Sequence, residues 1–478
     1  MTFHRSFSAA DLHRPRPVPH HPGQPDHPDA PAQSPTEAPH RRNLADAERR
    51  PLLRGLALRS FEPVHHAAHA AGRVFQAPPP VGGPVPPPSS VRRLPDRAGR
   101  PDPVFGSALY TAFLGELHRL LEQVRQAPDT GANASYIPEL ARCDPRLLQL
   151  SIATPSGALH SFGDDATFSI QSLAKMFILA STLRERGIAA VSGRVATLYS
   201  PLPFNGPCLA GLQSDPVRCR QALACQTPQA SSELVRLARA AGDTRFANAA
   251  CNLGAIGLTQ LLPGSGAGSG VGRQARLMAL VTALAPAGTA RPEVVATAHA
   301  VHGSELRNTS GNEMRARVAA ALLGDLLPPG AHLPLPAFRQ LQAYIAACAL
   351  EMDCSGLAAA FAGLAAGRNV FTGQPVLRPE EVGFLQAQMR VAGLYQASAD
   401  FFLRTGLLAK SGVSGAVAAT CPQTGLAFAV YSAPVDADGN STRGLALLQA
   451  IARLPGFAAL RRARREQADR PAALRERP

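Results

Sequence analysis

Phe168-Ser169-Ile170-Gln171-Ser172-Leu173-Ala174-Lys175 runs directly into the apolar stretch Met176-Phe177-Ile178-Leu179-Ala180, and the reading of the whole chain turns on this segment. On a helix, Ser172 and Lys175 lie three residues apart and so share one face. A serine hydroxyl is a weak nucleophile until a neighbour takes its proton. A lysine can take it when burial and nearby positive charge lower its pKa. Ser-x-x-Lys at the head of a buried helix is therefore a candidate acyl-transfer site.

Lysine usage sharpens that reading. The chain has 48 Lys plus Arg, and only Lys175 and Lys410 are lysines. Arginine, which carries the positive charge elsewhere, stays protonated and cannot act as a base. Lys410 stands in Lys410-Ser411-Gly412, the second half of a serine acyl-enzyme signature, in which Lys-Thr/Ser-Gly lines the active site. Both lysines thus fall in the two halves of one motif.

The 478 residues allow two or three domains by length. The first hundred hold 19 of the 44 prolines and 9 of the 14 histidines, with no sustained apolar period. Such a segment buries too little apolar surface to offset its ordering entropy, so residues 1–103 are expected to form a disordered leader. The far end, 456–478, is an arginine-rich helix or tail around Arg461-Arg462-Ala463-Arg464-Arg465. Residues 1–100 carry 14 arginines against 8 acidic residues, and 461–478 carry 7 against 3. More than half of the net charge of +14 therefore sits in the two ends. The basic pI is no argument for nucleic-acid binding, and no nucleic acid is expected as a partner.

No run of about 18 apolar residues is present, so no membrane span is expected. The N-terminus lacks the apolar core of a secretory signal, and a cytoplasmic location is expected. The 8 cysteines show no C-x-x-C spacing and are expected to be reduced core residues. His118, His160, His299, His302 and His332 form no ligand pair, so no metal and no cofactor are expected. The Gly264–Gly270 loop lacks the lysine of a phosphate-binding motif.

Within 104–455, an amphipathic helix is expected to about Arg125, with Leu109, Phe113, Leu114, Leu117, Leu120, Leu121 and Val124 on its apolar face. Leu147 to Thr154 and Ala158 to Phe162 read as a β-hairpin across Pro155-Ser156-Gly157. The serine helix ends near Gly187. Ala/Leu-rich helices follow at about 231–241, 246–262, 274–285, 312–323, 336–350, 355–365 and 379–391. Strands return at Gly415 to Thr420 and Leu426 to Ser432, before a last helix at about 441–453. Strands at both ends with helices between predict an α+β fold: an antiparallel sheet flanked by helices and closed by early and late strands, with an all-helical domain inserted. The sheet part would span about 104–190 and 392–455, and the helical part about 191–391.

This order, with these motifs, resembles the serine-dependent glutaminases of the β-lactamase/penicillin-binding-protein-like fold, over about residues 105 to 455. The blocks that carry it are Tyr136-Ile137-Pro138-Glu139-Leu140, Phe168 to Lys175, Phe204-Asn205, Asn252-Leu253-Gly254-Ala255-Ile256, Ser304-Glu305 with Asn312, Tyr344 with Cys348 and Glu351, Gly393-Leu394-Tyr395, and Leu408 to Val413. Taken singly, each tyrosine reads as a core aromatic, each asparagine as a cap or turn residue, and Glu305 as a helix N-terminal carboxylate. Their shared order makes them a set. Asn205 is kept as structural.

The resemblance implies an amidohydrolase acting on L-glutamine. Ser172 would attack the side-chain amide, Lys175 would take its proton, and Tyr395 would relay protons to the leaving amine. The backbone N–H groups of Ser172 and Val413 would hold the oxyanion. Glu305 would meet the substrate ammonium. Tyr136, Gln171, Asn252, Asn312 and Tyr344 would fix its α-groups, with Lys410, Ser411 and Gly412 in support. Chemistry agrees, because a buried zwitterion needs a carboxylate for its ammonium and donors for its carboxylate. Lys410 is further expected to add positive charge that keeps Lys175 neutral. Assembly as a homodimer or homotetramer is also implied. The sequence departs from the family pattern at Leu198-Tyr199-Ser200-Pro201, Asn248-Ala249-Ala250-Cys251 and Ser310-Gly311-Asn312.

Two other readings stand beside this one. A penicillin-interacting serine hydrolase shares Ser-x-x-Lys and Lys-Ser-Gly, but no Ser-Asp-Asn stands where that group needs it and no export signal is present. A non-catalytic or host-delivered effector on the same scaffold is motivated by the leader, which has the make-up of a type III secretion leader.

Overall fold

The computed structural model describes residues 102–199, 209–212, 228–262, 269–284, 300–305, 310–323 and 335–469. The leader to residue 101, Phe204-Asn205, most of the 264–270 loop and residues 470–478 lie outside the described residues.

Five antiparallel strands make the central sheet, in the order β2-β1-β7-β6-β5. They are β1 (Gln149–Ala153), β2 (Leu159–Gly163), β5 (Leu408–Ser411), β6 (Ala416–Thr420) and β7 (Ala427–Tyr431). The hairpin expected at 147–162 forms β1 and β2, with Ser151 opposite Ser161. The late strands pair back onto β1, with Ser151 opposite Ala429. Early and late chain thus close one sheet, as the sequence order implied.

Every residue of β1, β6 and β7 is buried, so the sheet is covered on both faces. Side chains alternate between those faces. Leu150, Ile152, Val417, Ala419, Phe428 and Val430 pack against helix α1 (Ala108–Gln126) and two C-terminal helices, α12 (Thr442–Arg453) and α13 (Pro455–Asp469). The Phe457 ring stacks on Phe113 at 5.8 Å and meets Phe428 edge-on at 5.8 Å. Ala416, Ala418, Ala427 and Ala429 face the other way, towards α9 (Cys354–Ala366). That helix is itself alanine-rich, with Ala358, Ala359, Ala360 and Ala362 fully buried. Small residues on both surfaces let helix and sheet approach closely.

Two features differ from expectation. Phe457 and Leu460 are fully buried, so the chain after 455 begins as a packed helix, with the arginine run on its later turns. The sheet also recruits α9 from the stretch expected to be wholly helical domain. Both differences have one cause: the sheet needs cover on two faces, and local composition does not reveal which helix supplies it.

The serine segment is held by a second, two-stranded sheet. Strands β3 (Thr167–Ser169) and β4 (Glu351–Asp353) pair with Phe168 opposite Met352. The Ile170 N–H donates to the Leu350 carbonyl at 2.7 Å, and Phe168 stacks on Tyr431 at 4.5 Å. Glu351 therefore lies on a strand, while Tyr344 and Cys348 lie on helix α8 (Leu335–Cys348). A three-residue strand is too short for a period-2 signal, which is why the sequence reading names no strand directly after the 336–350 helix.

A 3-10 turn, Gln171–Leu173, leads into helix α3 (Ala174–Ser192). Ala174 to Leu183 are buried without a break, as expected of a helix passing through the core. At Gly187, with φ 78°, the helix is interrupted, and it then resumes to Ser192. The remaining helices are α2 (Pro138–Ala141), α4 (Pro228–Ala240), α5 (Asn252–Leu261), α6 (Ser269–Leu284), α7 (Ser310–Leu323), α10 (Pro379–Ala392) and α11 (Ser398–Thr405). Helices α5, α6 and α10 pack along α3, and 300–305 is a further helical segment.

Candidate active site

Ser172 sits on the 3-10 turn and Lys175 on the first turn of α3. Lys175 Nζ contacts Ser172 Oγ directly. Ser172 is buried and Lys175 has no exposed surface. Burial pulls the Lys175 ammonium below its usual range, and the positive charge of Arg315 adds to this; Cys348, Cys251 and Glu305 oppose it. An uncharged amine touching a serine hydroxyl is what proton abstraction requires.

The residue that opens the turn, Gln171, has φ 48°, and Tyr395 has φ 55°. Among the described residues these are the two non-glycine positions with positive φ, and both line this site. Strained backbone concentrates where side chains must be aimed. Tyr395 follows α10 on its own 3-10 turn, Tyr395–Ala397, and is buried. Its hydroxyl lies within hydrogen-bonding reach of Ser172 and Ser411, while burial pushes its pKa up to about 12.

Strand β5 brings in the second motif. Lys410 is fully buried over the Tyr395 ring, 4.5 Å from its centroid. Its Nζ donates to the Ser411 carbonyl at 2.8 Å and reaches the Tyr395 hydroxyl at 3.4 Å. The Ser411 hydroxyl donates to Asn440 Oδ1 at 2.7 Å. Gly412 abuts the serine turn: a Cβ there would lie 2.6 Å from the Ile170 carbonyl oxygen. Val413 packs with Ile137 and Leu140, which ties the Tyr136 loop to this rim.

Burial holds Lys410 well below the usual lysine range, and charge on Lys175 would lower it further. Among the groups that bear on Lys175, Arg315 is the cation that lowers it.

The other expected residues converge from the helical region. Glu305 ends the 300–305 segment and lies within hydrogen-bonding reach of Gln171. Burial pushes its carboxyl up to about 8, against the pull of Lys175 and Gln171. Tyr344, on α8, donates to Asn252 Oδ1 at 3.0 Å. Asn252, the first residue of α5, reaches Asn312 Oδ1 through its Nδ2 at 3.5 Å. Tyr136 keeps 48% of its surface exposed. Desolvation raises its phenol well above the usual range, and the Glu305 carboxylate adds to this.

The altered block before Asn252 still holds its loop. Asn248 Oδ1 accepts from the Ala250 and Cys251 N–H groups at 3.1 and 2.9 Å, and its Nδ2 donates to the Leu198 carbonyl at 3.0 Å. Cys251 caps α5 by accepting from Gly254 N–H at 3.4 Å.

Two contributors escaped the sequence reading. Asn440 orients Ser411, and a lone asparagine in a turn gives no pattern. Arg315 stands three residues after Asn312, and its Nη1 donates to Asn312 Oδ1 at 3.0 Å. It is only 6% exposed. Among 46 arginines, nothing local marked it, although one helical turn from a suspected binding residue is where a partner would sit. Among the described residues no cluster could hold a metal ion, and no helix is long and apolar enough to cross a membrane.

A five-stranded antiparallel sheet with a serine–lysine pair at the head of a buried helix defines the class: an α+β protein of the serine-dependent, β-lactamase-like architecture. The chain belongs to the glutaminase family, whose profile matches residues 131–218 and 226–458. It is 32% identical over 344 residues to a glutaminase of Methylobacterium nodulans, spanning 71% of this chain and 96% of that one. It is 30% identical over 342 residues to glutaminase 2 of Escherichia coli K12, spanning 71% and 96%. The solved structure of Mglu in its glutamate form superposes with a TM-score of 0.57 at 28% identity, covering 72% of this chain and 68% of that one.

Proposed function

We propose that this chain hydrolyses L-glutamine to L-glutamate and ammonia through a γ-glutamyl ester on Ser172. The observation that carries the reading is the buried Lys175 amine in contact with the Ser172 hydroxyl, with Glu305 beside it. Lys175 takes the serine proton as Oγ bonds to the amide carbon. The tetrahedral oxyanion is held by the backbone N–H groups of Ser172 and Val413, a contribution of about 3–4 kcal/mol where such donors are preorganised. The proton on Lys175 passes through Tyr395 to the departing nitrogen, the C–N bond breaks and ammonia leaves. Water then adds to the ester carbon as Lys175 accepts its proton, and Lys175 returns that proton to Ser172 Oγ as the C–O bond breaks to give glutamate.

Glu305 pairs with the substrate ammonium, with Tyr136 beside it. Gln171, Asn252, Asn312 and Tyr344 fix the α-groups, and Lys410, Ser411 and Gly412 hold the Tyr395 side of the site. Ammonia release from L-glutamine tests the reading. The wild type should turn over, and Ser172→Ala, folded, should fall by at least about 10³-fold, as for loss of a nucleophile. Equal rates in the two proteins would refute the assignment.

The domain division stands as part of the proposal: a leader over 1–103, a catalytic domain over 104–455 and an arginine-rich end over 456–478. Deleting residues 1–100 should leave turnover intact. Cytoplasmic residence and a homodimer or homotetramer are carried with it. Fractionation of the source cells and light scattering of the purified chain test these.

A further inference from the structure

The carboxylate end of the pocket contains a polarity that Arg315 can set. Asn312 Oδ1 receives two contacts, from Arg315 Nη1 at 3.0 Å and from Asn252 Nδ2 at 3.5 Å. Asn252 Oδ1 in turn accepts from the Tyr344 hydroxyl at 3.0 Å. An asparagine carboxamide can in principle be turned either way, and its neighbours decide. Two asparagines and a tyrosine, each able to donate or accept, would leave the direction open. A guanidinium only donates. Arg315 therefore obliges Asn312 to face it with oxygen, which obliges Asn252 to face Asn312 with nitrogen, and Tyr344 to give its proton to Asn252. With its oxygen committed, Asn312 presents Nδ2 as a donor on its other side.

Charge points the same way. The two lysines of the site are held towards their neutral forms by burial. Arg315 stays charged at all working pH, is almost wholly buried, and acts electrostatically on Lys175. A carboxylate entering this region without a cation would bear the full cost of desolvation.

We infer that Arg315 is a positioning residue for the substrate α-carboxylate: it fixes the donor direction of the Asn312–Asn252–Tyr344 chain and supplies the cationic charge at that end of the pocket. This rests on the reading of the pocket as a glutamine site. Arg315 acts through Asn312 and takes no part in bond making.

The test compares wild type with Arg315→Met, Arg315→Gln and Arg315→Lys. Each is assayed for kcat and KM with L-glutamine. Calorimetry then gives binding of L-glutamate and of 4-aminobutanamide, which is glutamine without its α-carboxylate. Arg315→Met should weaken L-glutamate binding and raise KM about 30-fold or more, with kcat on its high-pH plateau, where Lys175 is deprotonated in both proteins, within about fivefold, the pattern of lost uniform binding. Binding of 4-aminobutanamide should change less than about threefold. Lysine, a donor whose charge the bound carboxylate stabilises against burial, should recover most of the loss for L-glutamate, and glutamine, which can donate or accept and is neutral, should recover little. Equal weakening for both ligands, or no difference between lysine and glutamine, would overturn the inference in favour of a packing role. If methionine does not fold, the lysine–glutamine pair still decides. Failure of the wild type to release ammonia would refute the proposed reaction, whereas the variant-to-wild-type ratio for L-glutamate tests Arg315 alone.

Discussion

Glu305 and Lys175 each ease the other's charge, yet burial wins at both: the lysine is pulled below its usual range and the carboxyl is pushed up to about 8. At pH 7 the Glu305 carboxyl, pushed up to about 8, is largely protonated. A substrate ammonium placed against Glu305 stabilises the carboxylate and draws its proton off. Binding of L-glutamate at pH 7 should therefore release about 0.9 of a proton, the fraction of a group with pKa about 8 that is protonated there. The release should fade as pH rises well past 8, where the carboxylate is already ionised. For the same reason, KM for L-glutamine should fall as pH rises from 6 to 8. Calorimetry in buffers of differing ionisation enthalpy measures the proton count. A count near zero at pH 7 would remove Glu305 from the ammonium-binding role.

Lys175 supplies a second test, on stability. A lysine whose folded pKa is lowered from 10.5 binds its proton more weakly in the fold than in the unfolded chain. Stability therefore rises with pH between the folded value and 10.5, and the deficit is greatest below that window. Lys410 behaves alike. Replacing Lys175 by methionine removes a buried polar group of similar length. Lys175→Met should abolish turnover while raising Tm at pH 7, with a flatter rise of Tm towards pH 9 than the wild type shows. A lower Tm would mean that the lysine stabilises the fold, contrary to the cost of burying its ammonium.

How much of this was legible beforehand depends on the range of the signal. The Ser172–Lys175 pair, the hairpin and the long helices write themselves into local spacing, because apolar period and motif both operate within a turn or two of chain. Strands β3, β4 and β5 have three or four residues each, too few to alternate visibly, so the sequence reading named none of them. Lys410 was found as a motif residue, but the lowering of its pKa was not legible. Its ionisation is set by burial beneath the Tyr395 ring, a tertiary fact. Arg315 and Asn440 act through single contacts across elements, and no spacing rule reports those.

Gly412 illustrates a contact of that kind with a measurable consequence. A Cβ at this position would come within 2.6 Å of the Ile170 carbonyl oxygen and 3.3 Å of Gln171 Cβ. Both neighbours belong to the turn that carries Ser172, and one is backbone, so neither can yield cheaply. Gly412→Ala should push β5 away from the serine turn, cost about 1–3 kcal/mol of stability as overpacking does, and lower kcat at least about tenfold through the displaced Val413 N–H. Denaturant melts and steady-state kinetics read the two effects. A variant with wild-type kcat would separate the Gly412 approach from the oxyanion site.

Asn440 provides the last test, because its role is directional. Its Oδ1 accepts from the Ser411 hydroxyl at 2.7 Å, while its own N–H is held by Asp436 Oδ1 at 2.9 Å. With its proton committed to Asn440, Ser411 meets the Tyr395 hydroxyl with a lone pair, which lets Tyr395 point its own proton along the Ser172–Ser411 side of the site. Asn440→Leu keeps the side-chain volume but removes the acceptor, so Ser411 is free to turn its proton towards Tyr395 and oppose the relay. We expect kcat to fall about 10–100-fold, the scale of a lost proton-transfer contribution, with KM for L-glutamine nearly unchanged because Asn440 lies on the Ser411 side and not among the α-group contacts. Ser411→Ala, made in the Asn440→Leu background, should add little further loss, since the two act as one unit. Steady-state kinetics on the single and double variants decide the matter: additive losses would mean that Asn440 and Ser411 serve the site independently.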